Sequence, residues 1–320
     1  MARDERPVLV LSELDDVTAD GVTLELARRG VPVVRMDPGA DFPADVSFTA
    51  RIEQRGWAGA LATTTRRLDL SAVRAVYRRR PTRHTPMPGL APPTAEFAAR
   101  EAREGLSGVL ANLPGCLYVN HPDANRAAAV KVRQLALAAE LGFCIPPSLV
   151  TNDPEAAQAF AEEHDQIIYK PLAFVRQISP DGPRTIWTQP VEAHEINESI
   201  AGTAHLFQRL VHKSADLRVT VVGDQVFCVR ITADPPQLDW RRAYGRLTHT
   251  WCEPTDGLAE FTVRYLRHFG LAFGCFDFGV TEDGAAVFFE CNPNGQWAWL
   301  EEATGAPITA AFAGLLEGGL

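Results

Sequence analysis

The chain has 320 residues, 46% hydrophobic and 22% charged, with a formal net charge of −9. That length can bury a large core in two or three subdomains, and the acidic balance argues against a non-specific nucleic-acid surface. Residues 1–6 are charged with no long apolar stretch after them, which predicts neither signal peptide nor membrane span. The six cysteines show no CxxC pair and no zinc spacing, so they are expected to be reduced thiols of a cytoplasmic protein.

In chain order, residues 7–12 read as a buried strand, 20–30 as a helix closed by Gly30, and 31–36 as a second strand. This is a βαβ unit opening a parallel sheet. Alternating stretches follow at 47–53 and 61–70, with a strand at 75–80. A loop with five prolines spans 80–93, then a helix is expected at 94–113 and a strand at 117–120. One long helix is predicted over 123–141, a helix over 154–164 and a strand over 166–170. Strands at 185–188 and 205–211 flank a helix at 193–201. Gly223-Asp224 and Asp283-Gly284 mark two hairpins, with a helix at 258–270 between them and a closing helix at 307–316.

The second hairpin is the most informative segment. With Asp283-Gly284 as a two-residue turn, Asp277 falls opposite Glu290, and Asn292 shares their face. Opposed carboxylates repel, and a hard divalent cation with oxygen ligands offsets them. Phe276, Phe278 and Phe289 are then expected on the core-facing side. The plainer alternative is a solvated strand face carrying ordinary surface charge. No GxxxxGK[ST], GxGxxG, GxSxG or HExxH motif is present.

The runs FDFGVT (276–281) and FFECNPNGQW (288–297) resemble the metal-binding end of ATP-grasp enzymes. That resemblance implies an α/β (α+β) ATP-grasp fold. Its parts would be an N-terminal parallel-sheet domain over 1–120, a central lid subdomain over 121–212 and a C-terminal antiparallel-sheet subdomain over 213–320. It also implies that Asp277, Glu290 and Asn292 hold two Mg²⁺ ions against ATP phosphates. Lys131 and Lys170 match the family's phosphate-contacting lysines. Gln208, Arg209, Leu210 and Val211 match the hinge that reads adenine, and Asp216 suits a ribose contact. Arg218 and Arg230 resemble the arginines that neutralise the transferred phosphate, although a strict Gly223-Asp224 turn sets them on opposite faces. The glycine-rich lid loop of many relatives is missing after Lys170; Arg176 is a candidate to take over part of its work.

The order SELDDVTAD (12–20), AVYRRRPT (75–82), VNHPDANRAAAVK (119–131), VTNDPEAAQAF (150–160), DLRVTVVGD (216–224), QLDWRR (237–242) and ECNPNGQW is similar to the ribosomal peptide maturases related to microviridin ligases. The implied activity is phosphorylation of Asp or Glu side chains of a precursor peptide, followed by ester or amide formation with Thr, Ser or Lys. Related maturases are dimers. An acidic precursor would meet the arginines at 78–80 and 241–242, which otherwise read as scattered surface charge. Two rivals are a ligase for a small amino acid or peptide, resembling glutathione synthetase, and an idle nucleotide- or peptide-binding module.

Overall fold

The computed structural model describes residues 5–54, 56–173, 176–179, 182–235, 237–255 and 257–320. Strand β1 (Val8–Leu11) is apolar and wholly buried, as a parallel strand covered on both faces requires. Helix α1 (Val17–Arg28) starts earlier than expected because the Asp16 carboxylate accepts the Ala19 N–H at 2.9 Å. Strand β2 (Val33–Met36) pairs with β1 in parallel. A separate antiparallel sheet holds β3 (Ser47–Glu53), β4 (Gly56–Ala62) and β5 (Arg67–Asp69). The stretch expected at 61–70 is thus bent, at a turn where Thr63 Oγ1 accepts the Arg66 N–H. Strand β6 (Ala75–Arg78), helix α2 (Pro92–Ala102), a π-helical turn into α3 (Gly108–Leu110) and β7 (Leu117–Val119) complete a parallel sheet ordered β2-β1-β6-β7.

The single helix expected over 123–141 is two, α4 (Pro122–Ala128) and α5 (Lys131–Glu140). The buried Gln134 amide sits at the break. Its Nε2 donates to Ala128 O at 2.6 Å and Cys291 O at 2.8 Å, and its Oε1 accepts the Cys291 N–H at 3.0 Å. The break therefore sets Lys131 at the first turn of α5, against a distant strand edge. Next come β8 (Ser148–Thr151), α6 (Pro154–His164), β9 (Ile167–Lys170), β10 (Arg176–Ser179), β11 (Gly182–Thr185), β12 (Gln189–Val191) and β13 (His205–Arg209). Their main sheet is ordered β12-β9-β13-β8. Of the strand expected at 185–188, Thr185 ends β11 and the rest lies between β11 and β12, and the helix expected at 193–201 is two 3₁₀ turns. A Glu192–Glu195 capping box and the Asn197 side chain start them separately, and these local bonds compete with a continuous helix. Phe174, Val175 and the Arg176 side chain lie outside what is described, so the lid expectation falls there.

The last sheet is ordered β16-β15-β14-β17-β18, from β14 (Ala215–Val222), β15 (Gln225–Ala233), β16 (Leu247–Trp251), β17 (Phe273–Val280) and β18 (Ala286–Asn292). Helix α7 (Leu258–Phe269) precedes β17, and α8 (Ala298–Thr304) and α9 (Ile308–Gly318) follow β18. On one face Val219, Val221, Phe276 and Phe278 pack with Phe261 and Tyr265 of α7. On the other, Val222 and Phe273 pack with Phe312 of α9 and Tyr77 of β6. Along this second face β17 passes from Phe273 through Cys275 to Asp277, and β14 from Val222 through Thr220 to Arg218 and Asp216. The face that is core at one end is charged at the other, and the site sits at that end.

Two buried polar residues lock the parallel sheet to the loop after β18. Asn120 uses its whole amide, donating to Phe273 O and Pro293 O and accepting from the Ala272 and Phe273 N–H groups. Arg79 donates to Asn294 O at 2.6 Å and pairs with Asp16 at 3.4 Å. Arg79 is therefore a structural tie, and the expectation of surface or peptide-binding charge at 78–80 fails for it. Among the described residues, no helix is long and apolar enough to cross a membrane.

Candidate active site

Asp277 faces Glu290 directly across β17 and β18, and Asn292 pairs with Cys275 two positions along. The turn that achieves this is not the expected two-residue loop. Val280 pairs with Ala286, the connection spans residues 281–285, and a β-bulge beside Asp277 restores the register. The bulge exchanges two aromatic rings. Phe288, not Phe289, joins Phe276 and Phe278 in the core. Phe289 turns into the cleft, where the Lys170 and Lys213 ammonium groups lie 5.7 and 5.6 Å from its ring centre. Gly279 leaves room for that ring, since a Cβ there would come within 2.5 Å of Phe289 Cζ.

The two carboxylates share a dense cationic shell. Arg218, register partner of Asp277, donates from Nη1 to Asp277 Oδ1 at 2.9 Å and from Nη2 to Gln296 O at 3.2 Å. Gly295 is required beside it, because a Cβ would lie 2.5 Å from Cys275 Cβ as well as 2.8 Å from Arg218 Nη2. Lys131 Nζ stands 3.6 Å and Lys170 Nζ 4.0 Å from Glu290 Oε2. Lys131 also donates to Pro171 O at 2.7 Å. Arg241, which sequence reading left among possible peptide contacts, is central: its Nη2 donates to Asp277 Oδ2 at 2.5 Å and to Glu290 Oε1 at 3.0 Å. Its signal was the acidic N-cap Asp239 before it, which accepts the Arg241 N–H and starts the 3₁₀ turn Trp240–Arg246.

The neighbouring cleft is lined by Pro146, Ile168, Val211, Leu238 and Phe289 on apolar sides and by Lys170, Asp216 and Glu290 on polar ones. Gln208, Arg209 and Val211 of the expected hinge reach it. Leu210 does not line it, and its N–H is spent on Gln166 O at 2.8 Å. Gln208 bonds Ser148 Oγ at 2.8 Å. Asp216 lines the cleft and is paired with Lys213. Asn292 is exposed and caps its own loop by accepting the Asn294 N–H at 2.9 Å. Arg230 is not brought in. The Gly223-Asp224 turn does contain two residues, Arg218 pairs with Val229, and Arg230 projects from the opposite face toward Ser214. The register of these two strands is unbroken, so no bulge turns it inward and the opposite-face reading holds.

Electrostatically the site is an anion trap. Six basic side chains (Lys131, Lys170, Arg209, Lys213, Arg218 and Arg241) surround four carboxylates, in a protein that is acidic overall. Burial would raise the Glu290 pKa, but Lys170, Lys131 and Arg241 outweigh it and hold the carboxyl well below its usual range. Burial lowers the Lys170 pKa against the opposing pull of Glu290. Burial pushes Asp216 up from 3.8 to about 6, with Lys213 opposing. An acid raised in the fold is destabilising once ionised. The Asp216 contribution is intact below pH 4 and is lost as pH climbs through about 6. Asp216→Asn should therefore gain about 3 kcal/mol on the wild type between pH 4 and pH 7, read from urea midpoints. Parallel stability curves for the two proteins would contradict the buried setting of this carboxyl.

The residues fit a divalent cation. One Arg241 nitrogen already bridges both carboxylates, which shows their oxygens converge on a single cation position. No cluster of three His, Cys, Asp or Glu side chains occurs among the described residues, so most of such a cation's ligands would come from other oxygens.

Residues 7–126 match the model of the MvdD pre-ATP grasp domain. A comparison with curated protein sequences gave no match. Among solved structures, macrocyclase MdnB from Microcystis aeruginosa MRC is 30% identical, covering 97% of this chain and 99% of that one with a TM-score of 0.78. Macrocyclase MdnC from the same organism, bound with precursor peptide MdnA, is 25% identical over 97% and 99% of the two chains, with a TM-score of 0.85. ATP-grasp ligase PsnB, complexed with a phosphomimetic variant of minimal precursor, Mg and ADP, is 25% identical over 98% and 99%, with a TM-score of 0.76. With this identity to MdnB over almost the full length of both proteins, the chain belongs to the family of ATP-grasp ligases that macrocyclise ribosomal peptides.

Proposed function

We propose that the cleft transfers the γ-phosphoryl group of ATP to an Asp or Glu side chain of a ribosomal precursor peptide. A Thr or Ser hydroxyl, or a Lys amine, of the same peptide then attacks the acyl carbon. Its C–O or C–N bond forms as the acyl–phosphate bond breaks, and phosphate leaves with one carboxylate oxygen while the nucleophile loses its proton. The products are an intramolecular ester or amide, ADP and phosphate. The observation that carries this reading is the Asp277–Glu290 pair, converging on one cation position inside a basic shell beside an apolar cleft. The relatives described with a precursor peptide, and with Mg and ADP, support it, and neither a small-amino-acid ligase nor an idle module is favoured.

In this reading Asp277, Glu290 and Asn292 hold two Mg²⁺ ions, which when bound neutralise phosphate oxygens. Lys131 and Lys170 sit along the phosphates, and Phe289 with the Gln208–Val211 hinge encloses the adenine. Asp216, freed from Lys213, takes a ribose hydroxyl. Arg218 stays paired with Asp277 and orients it. Arg241 gives up its bridge and turns its guanidinium to the phosphoryl or acyl oxygen, where bidentate pairing suits it. Closing this basic, part-buried site around the reactants would supply orientation and electrostatic stabilisation with little covalent work by the protein. The protein would act in the cytoplasm, where its six thiols, all free, stay reduced. A homodimer and functional units over 1–120, 121–212 and 213–320 complete the proposal.

The test is mass spectrometry of a Thr- and Asp/Glu-rich peptide, encoded beside this chain's gene, after incubation with the protein, ATP and Mg²⁺. Loss of one water and release of one ADP per linkage is expected. Gain of amino-acid mass would show the small-molecule ligase instead, and no ADP release would refute a ligase of either kind.

A further inference from the structure

The parallel sheet carries a second cleft on the face turned away from the nucleotide site. Successive β6 residues alternate between the two sides. Tyr77 and, just past the strand, Arg79 face α9 and the Asn294 loop, while Val76 and Arg78 face the side that the π-helical turn and α3 cover. The second cleft measures about 910 Å³ and shares no lining residue with the nucleotide cleft. It lies at the carboxyl ends of parallel strands, where open α/β sheets place their ligands.

Its charge is unbalanced. Five arginines line it with three carboxylates, and each carboxylate already has a partner: Arg100 with Glu96 at 3.0 Å, Arg103 with Glu104 at 3.0 Å, Arg126 with Asp123 at 3.1 Å. No hydrogen bond or ion pair joins the Arg78 or Arg83 guanidinium to another described residue. Arg78 is half-buried, and burial and then the charge of Arg126 both push its pKa down. A guanidinium stays protonated even so, and holding it desolvated without a counter-charge opposes folding. Between the arginines the wall is apolar, with Leu11, Val76, Leu110 and Tyr118. Free cations over an apolar wall in a cleft of this size suit a peptide with acidic and apolar side chains better than a bare inorganic anion.

We infer that this cleft binds an acidic stretch of the precursor peptide, with Arg78 and Arg83 pairing to Asp or Glu side chains other than the one being phosphorylated. The inference rests on the peptide reading above and extends it. Arg79 directly follows Arg78, the last residue of β6, and grips the loop that follows Asn292. A peptide crossing the carboxyl edge of the sheet therefore passes from this cleft to the metal end of the other.

The experiment uses fluorescein-labelled hexaglutamate and the full chain, with fluorescence anisotropy at low salt. Wild type should bind it, and Arg78→Gln and Arg83→Gln should each weaken binding about tenfold, the double variant by roughly a hundredfold. Affinity for an ATP analogue should be unchanged in both, and the thermal midpoint of Arg78→Gln should stay level or rise. Unchanged hexaglutamate affinity in the double variant, or no binding to wild type, would overturn the inference. So would displacement by inorganic phosphate at equal concentration, which would mark a site for free anions. Binding needs no catalysis, so the two readings fail separately. A chain that holds hexaglutamate through these arginines but cross-links nothing defeats the ligase proposal. An active ligase whose KM for precursor is unmoved in the double variant defeats this one.

Discussion

Glu290→Gln should lower ADP release by at least about a thousandfold, because it removes half of the opposed carboxylate pair in the cleft while keeping side-chain shape. The fold should survive. Its loss leaves Lys131 and Lys170 without a carboxylate, but each keeps a carbonyl acceptor, Pro171 O and Phe289 O, and Arg241 keeps Asp277. Asp277→Ala should be equally inactive but less stable, by about 3–5 kcal/mol, because it leaves Arg218 buried without its ion pair. ADP release by coupled assay and urea unfolding separate the two effects. Wild-type turnover in Glu290→Gln would remove the carboxylate pair from the chemistry.

The second large effect follows from the bulge. Phe288→Ala should cost about 3–5 kcal/mol of stability, as truncation of a fully buried aromatic does, with nucleotide affinity kept in the folded fraction. Phe289→Ala should cost little stability and weaken ATP-analogue binding by about tenfold, since its ring faces the cleft between two lysines. Without a bulge the two results would exchange. Thermal midpoints and analogue titration on both variants decide the register.

That exchange also shows how far the sequence could be read. Alternation along β17 and β18 gives the face of Asp277, Glu290 and Asn292, and a turn and a bulge whose shifts cancel leave that reading intact. Side chains between turn and bulge are where it fails, because the bulge is chosen by packing around Gly279 and not by a local motif. The first βαβ unit, α6 and the Gly223-Asp224 hairpin follow from local propensity and period. The break before Lys131 depends on Gln134 reaching Cys291, a contact between residues far apart in the chain. Arg241 was missed as a site residue for a similar reason. Asp239 before it signals the start of a turn but not that this turn folds back over two strands, whereas Arg230, expected in the site, is turned away by strict strand alternation.

Transfer of oxygen from peptide to phosphate tests the central claim most directly. With precursor labelled with ¹⁸O in both oxygens of its Asp and Glu carboxyl groups, activation as an acyl phosphate predicts one ¹⁸O in the released phosphate for each cross-link formed. Cross-linked peptide that keeps all its label, beside unlabelled phosphate, would contradict carboxylate phosphorylation at this site.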